Sequence, residues 1–146
     1  MSAYEIPYVP SAPDRVKTML ELAGIRPGEK MLDLGAGEGN LVLAFAQKGV
    51  KATGVEIDRR RAETAKKNVE KADLDSLAEI YHRNFWYEDV SFYDIITIYG
   101  ISMIMYRLSR KLKKEAKSGC RIISNTFLLP DWDISGMDNN IYLYIR

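Results

Sequence analysis

Met31-Leu32-Asp33-Leu34-Gly35-Ala36-Gly37-Glu38-Gly39-Asn40 is followed, after a helical run, by Gly54-Val55-Glu56-Ile57-Asp58. The first stretch reads as a short buried strand, Lys30 to Leu34, that stops at glycines. Glycine there tolerates positive φ and lets the backbone approach a ligand closely. Glu56 ends the next strand, 21 positions after Gly35, about where a nucleoside-binding βαβ unit places the carboxylate that accepts hydrogen bonds from a ribose diol.

The loop discriminates among nucleosides. A dinucleotide site, G-x-G-x-x-G, seats a diphosphate on the helix N-terminus. Here that pattern would need glycine at position 40, which is Asn40. Asp33 at the strand tip opposes a diphosphate and suits a ligand carrying an ammonium group. S-adenosylmethionine is such a ligand, with a ribose diol, an α-amino group and a sulfonium that acidic residues at two strand ends can serve. The turn Asp33-x-Gly35-x-Gly37-x-Gly39, with Glu56 at its distance, resembles the first two motifs of class I methyltransferases. A dinucleotide oxidoreductase is disfavoured by Asn40 and Asp33.

Outward from this unit, the chain alternates helix and strand. Ser11 and Asp14 predict a capping box for a first helix that stops at Gly24. Another helix runs from Asn40 to about Gln47, with strand two at Lys51 to Glu56. Asp58 predicts the N-cap of a helix reaching Ala72, and strand three falls near Ala78 to His82. Strand four, Tyr93 to Tyr99, is almost wholly apolar, as in a parallel strand covered on both faces. Ile101, Ile104, Met105, Leu108 and Leu112 mark a further helix, and strand five is Cys120 to Asn125. Ile141-Tyr142-Leu143-Tyr144-Ile145 alternates aliphatic with aromatic, which suits a closing strand with two differently packed faces. Five strands separated by helices predict an α/β fold: a doubly wound, mostly parallel, Rossmann-like sheet.

In such sheets the ligand lies outside the carboxyl ends of the strands. That rule collects Asp33, Gly35, Ala36, Gly37 and Gly39 with Glu56, Ile57, Asn84, Phe85 and Tyr99. Asn84 is a candidate hydrogen-bond partner for adenine, and Ile57 and Phe85 can sandwich its ring.

Composition bounds the rest. The 146 residues, 47% hydrophobic, are enough for one methyltransferase-sized domain spanning 1–146. A net charge of +1 from 21 basic and 20 acidic side chains gives no global steering toward nucleic acid or membrane. Cys120 is the single cysteine and His82 the single histidine. No metal site is expected, and one cysteine points to a reducing, cytoplasmic setting. No apolar stretch approaches the length of a membrane span. Arg107, Arg110, Lys111, Lys113, Lys114 and Lys117 read as the solvated face of a helix rather than an RNA track. Arg59-Arg60-Arg61 reads as an exposed helix start, and His82 as a packing or hydrogen-bonding residue.

Tyr8-Val9-Pro10-Ser11, Asp33 to Gly39, Gly54 to Ile57, and Asn84-Phe85 together resemble the archaeal protein-lysine methyltransferases and their mitochondrial relatives. Gly119 with Arg121-Ile122-Ile123-Ser124, then Phe127, Trp132 and Tyr142-Leu143-Tyr144, continue the likeness in the same order. The resemblance implies a minimal seven-strand enzyme with a C-terminal antiparallel strand. It would transfer methyl groups from S-adenosylmethionine, leaving S-adenosylhomocysteine, to lysines of a protein substrate. Segment 1–29 would cover the cofactor site, with Tyr8 against the cofactor. Tyr8, Trp86, Tyr99, Phe127 and Trp132 are the aromatics expected around a lysine channel, with Tyr99 and Trp132 the catalytic candidates. Only eight residues separate Trp132 from Ile141, so a reduced sixth strand is expected, at most short and irregular within Asp133 to Met137. Methylation of RNA or of a small molecule, and a non-catalytic cofactor-binding module, are the rival readings. The sequence leaves the oligomeric state open.

Overall fold

Strand β1 (Lys30–Leu34) lies inside the sheet because Met31, Leu32 and Leu34 are fully buried, leaving no face of the strand for water. A computed structural model of the protein describes residues 11–146, so Tyr8 and the Tyr8-Val9-Pro10 stretch lie outside the described residues. The further elements are α1 (Pro13–Ala23), α2 (Asn40–Ala46), β2 (Lys51–Glu56), α3 (Arg59–Lys71), β3 (Ala78–His82), β4 (Ile95–Ile98), α4 (Ser102–Glu115), β5 (Arg121–Asn125), β6 (Gly136–Asp138) and β7 (Ile141–Ile145). The strands form a seven-stranded sheet in the order β3-β2-β1-β4-β5-β7-β6. The pairs from β3 through β5 are parallel, and β7 runs antiparallel to both β5 and β6.

The pleat divides the apolar residues between two faces. On one, Met19, Phe45, Ala62, Ala65 and Val69 of α1, α2 and α3 pack on Met31, Ala52, Ile95 and Ile123. On the other, Ile104, Met105, Leu108 and Leu112 of α4 pack on Leu32, Val55, Ile96 and Ile122. The closing strand follows its alternation, with Tyr142 and Tyr144 turned to the α4 face and Ile141 and Leu143 to the opposite one. Gly54 lets α2 close on β2. A Cβ there would stand 2.6 Å from that of Ala36 and 2.9 Å from Val42 Cγ2.

Four expectations need correction. The capping box does not form: Ala12 is the N-cap of α1 without a side-chain bond, because Pro13 presets the first helical position. Ser11 Oγ instead accepts from Asn125 Nδ2 at 3.4 Å. No helix joins β3 to β4. Residues 83–94 make that crossover with one 3₁₀ turn, Phe85–Tyr87, whose Phe85 and Trp86 sink into the α4-side core and do a helix's covering work. β4 is shorter than Tyr93 to Tyr99, since the ladders to β1 and β5 begin at Ile95 and end at Ile98. The sixth strand is as short as expected but runs one residue past the expected end, to Asp138, and is held to β7 by a two-residue turn in which Asn139 and Asn140 take φ of 49° and 58°. Two left-handed residues match the twist of a tight hairpin.

Arg15 ties this far edge to α1. Its Nε and Nη2 donate to Asn125 Oδ1 at 3.0 and 2.7 Å, and its Nη1 donates to the Asn139 carbonyl at 3.0 Å. One guanidinium thus joins the first helix, the end of β5 and the β6–β7 turn.

Candidate functional site

The backbone at the tip of β1 turns sharply because Gly35 and Gly37 adopt φ of 86° and 58°. Gly35 and Ala36 donate their amides to the Val55 carbonyl at 3.0 and 2.9 Å, which lashes the loop to β2. Glu56 is 5% exposed, and both of its oxygens are held: Gly37 N donates to Oε1 and Asp58 N to Oε2, each at 2.8 Å. The carboxylate therefore stands in one rotamer beside the loop. Asp58 N-caps α3 by accepting from Arg61 N at 3.0 Å, as its sequence position predicts. Gly39 begins α2 so close to α3 that a Cβ would lie 3.3 Å from that of Ala65.

Asp33 is 6% exposed, and its Oδ1 accepts from Thr97 Oγ1 at 2.8 Å. Burial pushes its carboxyl up from 3.8 to about 7; the Thr97 bond opposes the rise and the Glu56 charge adds to it. No cationic partner reaches Asp33 among the described residues. A buried carboxyl without a counter-charge is destabilised when ionised, and a ligand ammonium would supply that charge. Above Gly35 the space is open, since a Cβ there meets nothing within 4 Å.

The third strand contributes Asn84, whose Oδ1 accepts from Trp86 N at 3.0 Å and fixes the 3₁₀ turn. Phe85 is 4% exposed and meets Trp86 edge-on at 4.8 Å, so its ring forms part of the wall rather than projecting. Ile57 is half-buried, with its carbonyl bonded to His82 Nε2 at 2.9 Å. This contact gives the lone histidine the hydrogen-bonding role its strand-end position suggests. Asp33, Gly35, Ala36, Gly37, Gly39, Glu56, Ile57, Asn84 and Phe85 thus gather along the ends of β1, β2 and β3.

The aromatic candidates are not gathered in the same way. Tyr99 and Phe127 meet edge-on at 6.2 Å beyond β4 and β5. Trp132 stands apart with Tyr144, ring centres 6.0 Å apart, and its Nε1 donates into α4 at Ser109 Oγ, 3.0 Å away. Ser109 Oγ in turn donates to the Pro130 carbonyl at 2.6 Å. Trp86 is buried beneath Arg107, whose guanidinium lies 4.0 Å from the ring centre.

Thr97 was the site residue that sequence reasoning missed. Its signal was present: it is the lone polar side chain in the buried run Ile95-Ile96-Thr97-Ile98. Ser109 carried no such signal, because its partners come from a segment more than twenty residues away in the chain.

The profile of the ANTKMT methyltransferase domain matches residues 33–135. The chain is 32% identical over 150 aligned positions to a protein-lysine N-methyltransferase of Saccharolobus islandicus, covering 96% of this chain and 93% of that one. It is 32% identical over 130 aligned positions to the adenine nucleotide translocase lysine N-methyltransferase of Mus musculus. That match covers 88% of this chain and 56% of the relative, so the chain spans little more than half of that protein's length. Among solved structures, an RNA methyltransferase from Salinibacter ruber in complex with S-adenosyl-L-homocysteine superposes with a TM-score of 0.89 at 27% identity. That match covers 94% of this chain and 93% of that one.

Proposed function

This chain belongs to the ANTKMT methyltransferase domain family, and on that premise we propose that it transfers a methyl group from S-adenosylmethionine to the ε-amino group of lysine in a protein. The observation that carries the proposal is the pair of buried carboxylates at adjacent strand ends: Glu56 fixed by two amides, and Asp33 lacking a counter-charge among the described residues. The residues present fit the cofactor. Asp33 would face its ammonium group, and Glu56, with lone pairs left beyond its two amide bonds, would accept from the ribose hydroxyls. Asn84, Ile57 and Phe85 would meet the adenine, Gly35 to Gly39 would line the turn, and Tyr8 would close over from the N-terminal segment.

When bound, S-adenosylmethionine supplies an electrophilic methyl carbon on a sulfonium. The protein's part is alignment and exclusion of water. Tyr99 and Phe127 form the aromatic wall where a lysine stem would enter, and the Tyr99 hydroxyl would accept from the amine and orient its lone pair. Entry into an apolar channel disfavours the ammonium form, so the lysine releases its proton to water before attack. Trp132, apart from that wall and held to α4 by its Nε1, would serve the packing of α4 rather than line the channel. Residues 1–146 would act as one domain, with 1–29 covering the cofactor. A cytoplasmic setting is the reading that a single, buried cysteine supports. No helix among the described residues is long and apolar enough to cross a membrane.

The likeness to the Salinibacter ruber structure favours RNA as the second acceptor to test. Labelled S-adenosylmethionine, supplied with separated protein and RNA fractions of a lysate, distinguishes the two. Label in protein that maps to ε-amino groups supports the lysine reading, and label in RNA alone overturns it.

A further inference from the structure

Helix α4 carries a row of cations that ion pairing does not explain. Arg107, Arg110 and Lys114 follow one another at i, i+3 and i+7, and therefore form one stripe on the solvent side of the helix. Neighbouring cations are accounted for. Lys111 bonds to Glu115 at 2.8 Å and to the Glu88 carbonyl at 2.7 Å, Lys117 pairs with Asp94 at 2.6 Å, and Lys113 bonds to the Asp131 carbonyl. Arg110 and Lys114 have no acidic partner among the described residues. Like charges at these spacings repel each other and weaken an isolated helix. The helix dipole offsets this for Lys114 in the last turn but not for Arg107 or Arg110 in the middle.

Arg107 is also held in place. Its guanidinium lies over buried Trp86, 4.0 Å from the ring centre, which removes much of the freedom a surface arginine would otherwise lose on binding. Around it runs an open groove of about 630 Å³ lined by Tyr106, Arg107, Arg110, Lys111, Lys113 and Lys114, with no acidic side chain in the lining. At the end nearest the candidate site, where α4 leaves β4, the stripe continues into Met103 and Tyr106, which are 73% and 57% exposed. From Met103 to Lys114 is about 16 Å along the helix, the span of about five residues of extended chain.

We infer that this stripe is the docking track for the protein substrate's own chain beside the target lysine: an apolar residue next to that lysine against Met103 and Tyr106, then carboxylates about three to five residues away against Arg107, Arg110 and Lys114. The inference rests on the lysine reading above. Carboxylates rather than phosphates are favoured because Tyr106, at the end by the site, is the one aromatic in the lining of the stripe, whereas a nucleic-acid track interleaves stacking rings with its cations.

The test uses the full chain, labelled S-adenosylmethionine and heat-denatured lysate protein, comparing the native protein with an Arg110→Glu/Lys114→Glu variant. S-adenosylhomocysteine binding, measured by calorimetry, is expected to be equal in the two and so reports on the fold and cofactor site. Mapped lysines should show an excess of Asp and Glu three to five residues away relative to all lysines in the same lysate. The variant should label about fivefold more slowly, lose that excess, and be less sensitive to added poly-glutamate. Unbiased sites, or a variant that labels the same lysines at the same rate, overturn the track while leaving the lysine reading standing. Inhibition of the native protein by poly(U) RNA but not by poly-glutamate reassigns the groove to nucleic acid. An absence of label in protein, with cofactor binding intact, overturns the lysine reading itself and the track with it.

Discussion

Thr97 Oγ1 donates to Asp33 Oδ1 at 2.8 Å, joining β4 to β1 below the point where the glycine turn begins. The bond favours the ionised carboxyl, yet burial holds the group up at about 7. Asp33 thus takes up a proton within the working range of most proteins.

The sign of the resulting pH dependence is fixed. Between 3.8 and about 7 the folded protein holds a proton on Asp33 that the unfolded chain has lost, so stability without ligand falls as pH rises through that window. Asp33→Asn should flatten this slope in thermal melts. Affinity for S-adenosylhomocysteine should run the other way, rising with pH and levelling off above about 7, with at most about a tenfold change per pH unit below that. Calorimetry from pH 5.5 to 8.5 reads both, and an unchanged pH profile in Asp33→Asn would remove Asp33 from the account.

Two glycines should separate folding from binding. Gly54→Ala forces a methyl against Ala36 and Val42, and should cost about 1–3 kcal/mol of stability. Gly35→Ala meets no atom within 4 Å, so its cost to the fold is the positive φ alone, about 1–2 kcal/mol. Its methyl enters the open space over the strand tip. S-adenosylhomocysteine affinity should therefore fall further in Gly35→Ala than its change in melting temperature accounts for; equal affinity in a folded Gly35→Ala would place the ligand elsewhere.

Tyr99 and Trp132 should behave differently. Tyr99→Phe keeps the edge contact with Phe127 and removes a hydroxyl, so kcat should drop with little change in stability or in S-adenosylhomocysteine affinity. Trp132→Phe loses the bond to Ser109 and should cost about 1 kcal/mol of stability. Steady-state rates set beside denaturant melts distinguish the two, and matching behaviour in both would contradict the division drawn here.

Arg15→Ala should release three elements at once. Asn125, 2% exposed at the end of β5, would lose both guanidinium bonds, and the Asn139 carbonyl would lose its donor. A loss of about 1–3 kcal/mol is expected. Arg15→Lys should recover little of it, because an ammonium lacks the planar fork that reaches both partners. Denaturant melts of the two variants give the comparison.

Much of this was legible in the sequence, and the reason lies in how local each signal is. β1, β2, β3 and β7 are read residue by residue, because glycines end the first and strict alternation marks the last. α3 announces itself through Asp58, whose cap is a contact three residues long. The same locality explains the nine residues that gather along the ends of β1, β2 and β3. What escaped depended on distance. No local pattern shows that residues 83–94 cross the sheet without a helix, that Ser11 bonds across to Asn125 rather than capping its own helix, or that the indole of Trp132 turns toward Ser109. Only the fold brings these partners together.

The short crossover between β3 and β4 also ties two surfaces of the protein to one segment. Within three consecutive residues it carries Asn84 and Phe85 at the crevice and Trp86 beneath Arg107. Phe85 and Trp86 are joined by a single peptide bond and meet edge-on at 4.8 Å, so the two rings hold each other's positions. A substitution in this one segment therefore disturbs the ends of β1, β2 and β3 and the seat of Arg107 together, so neither surface can be altered there in isolation.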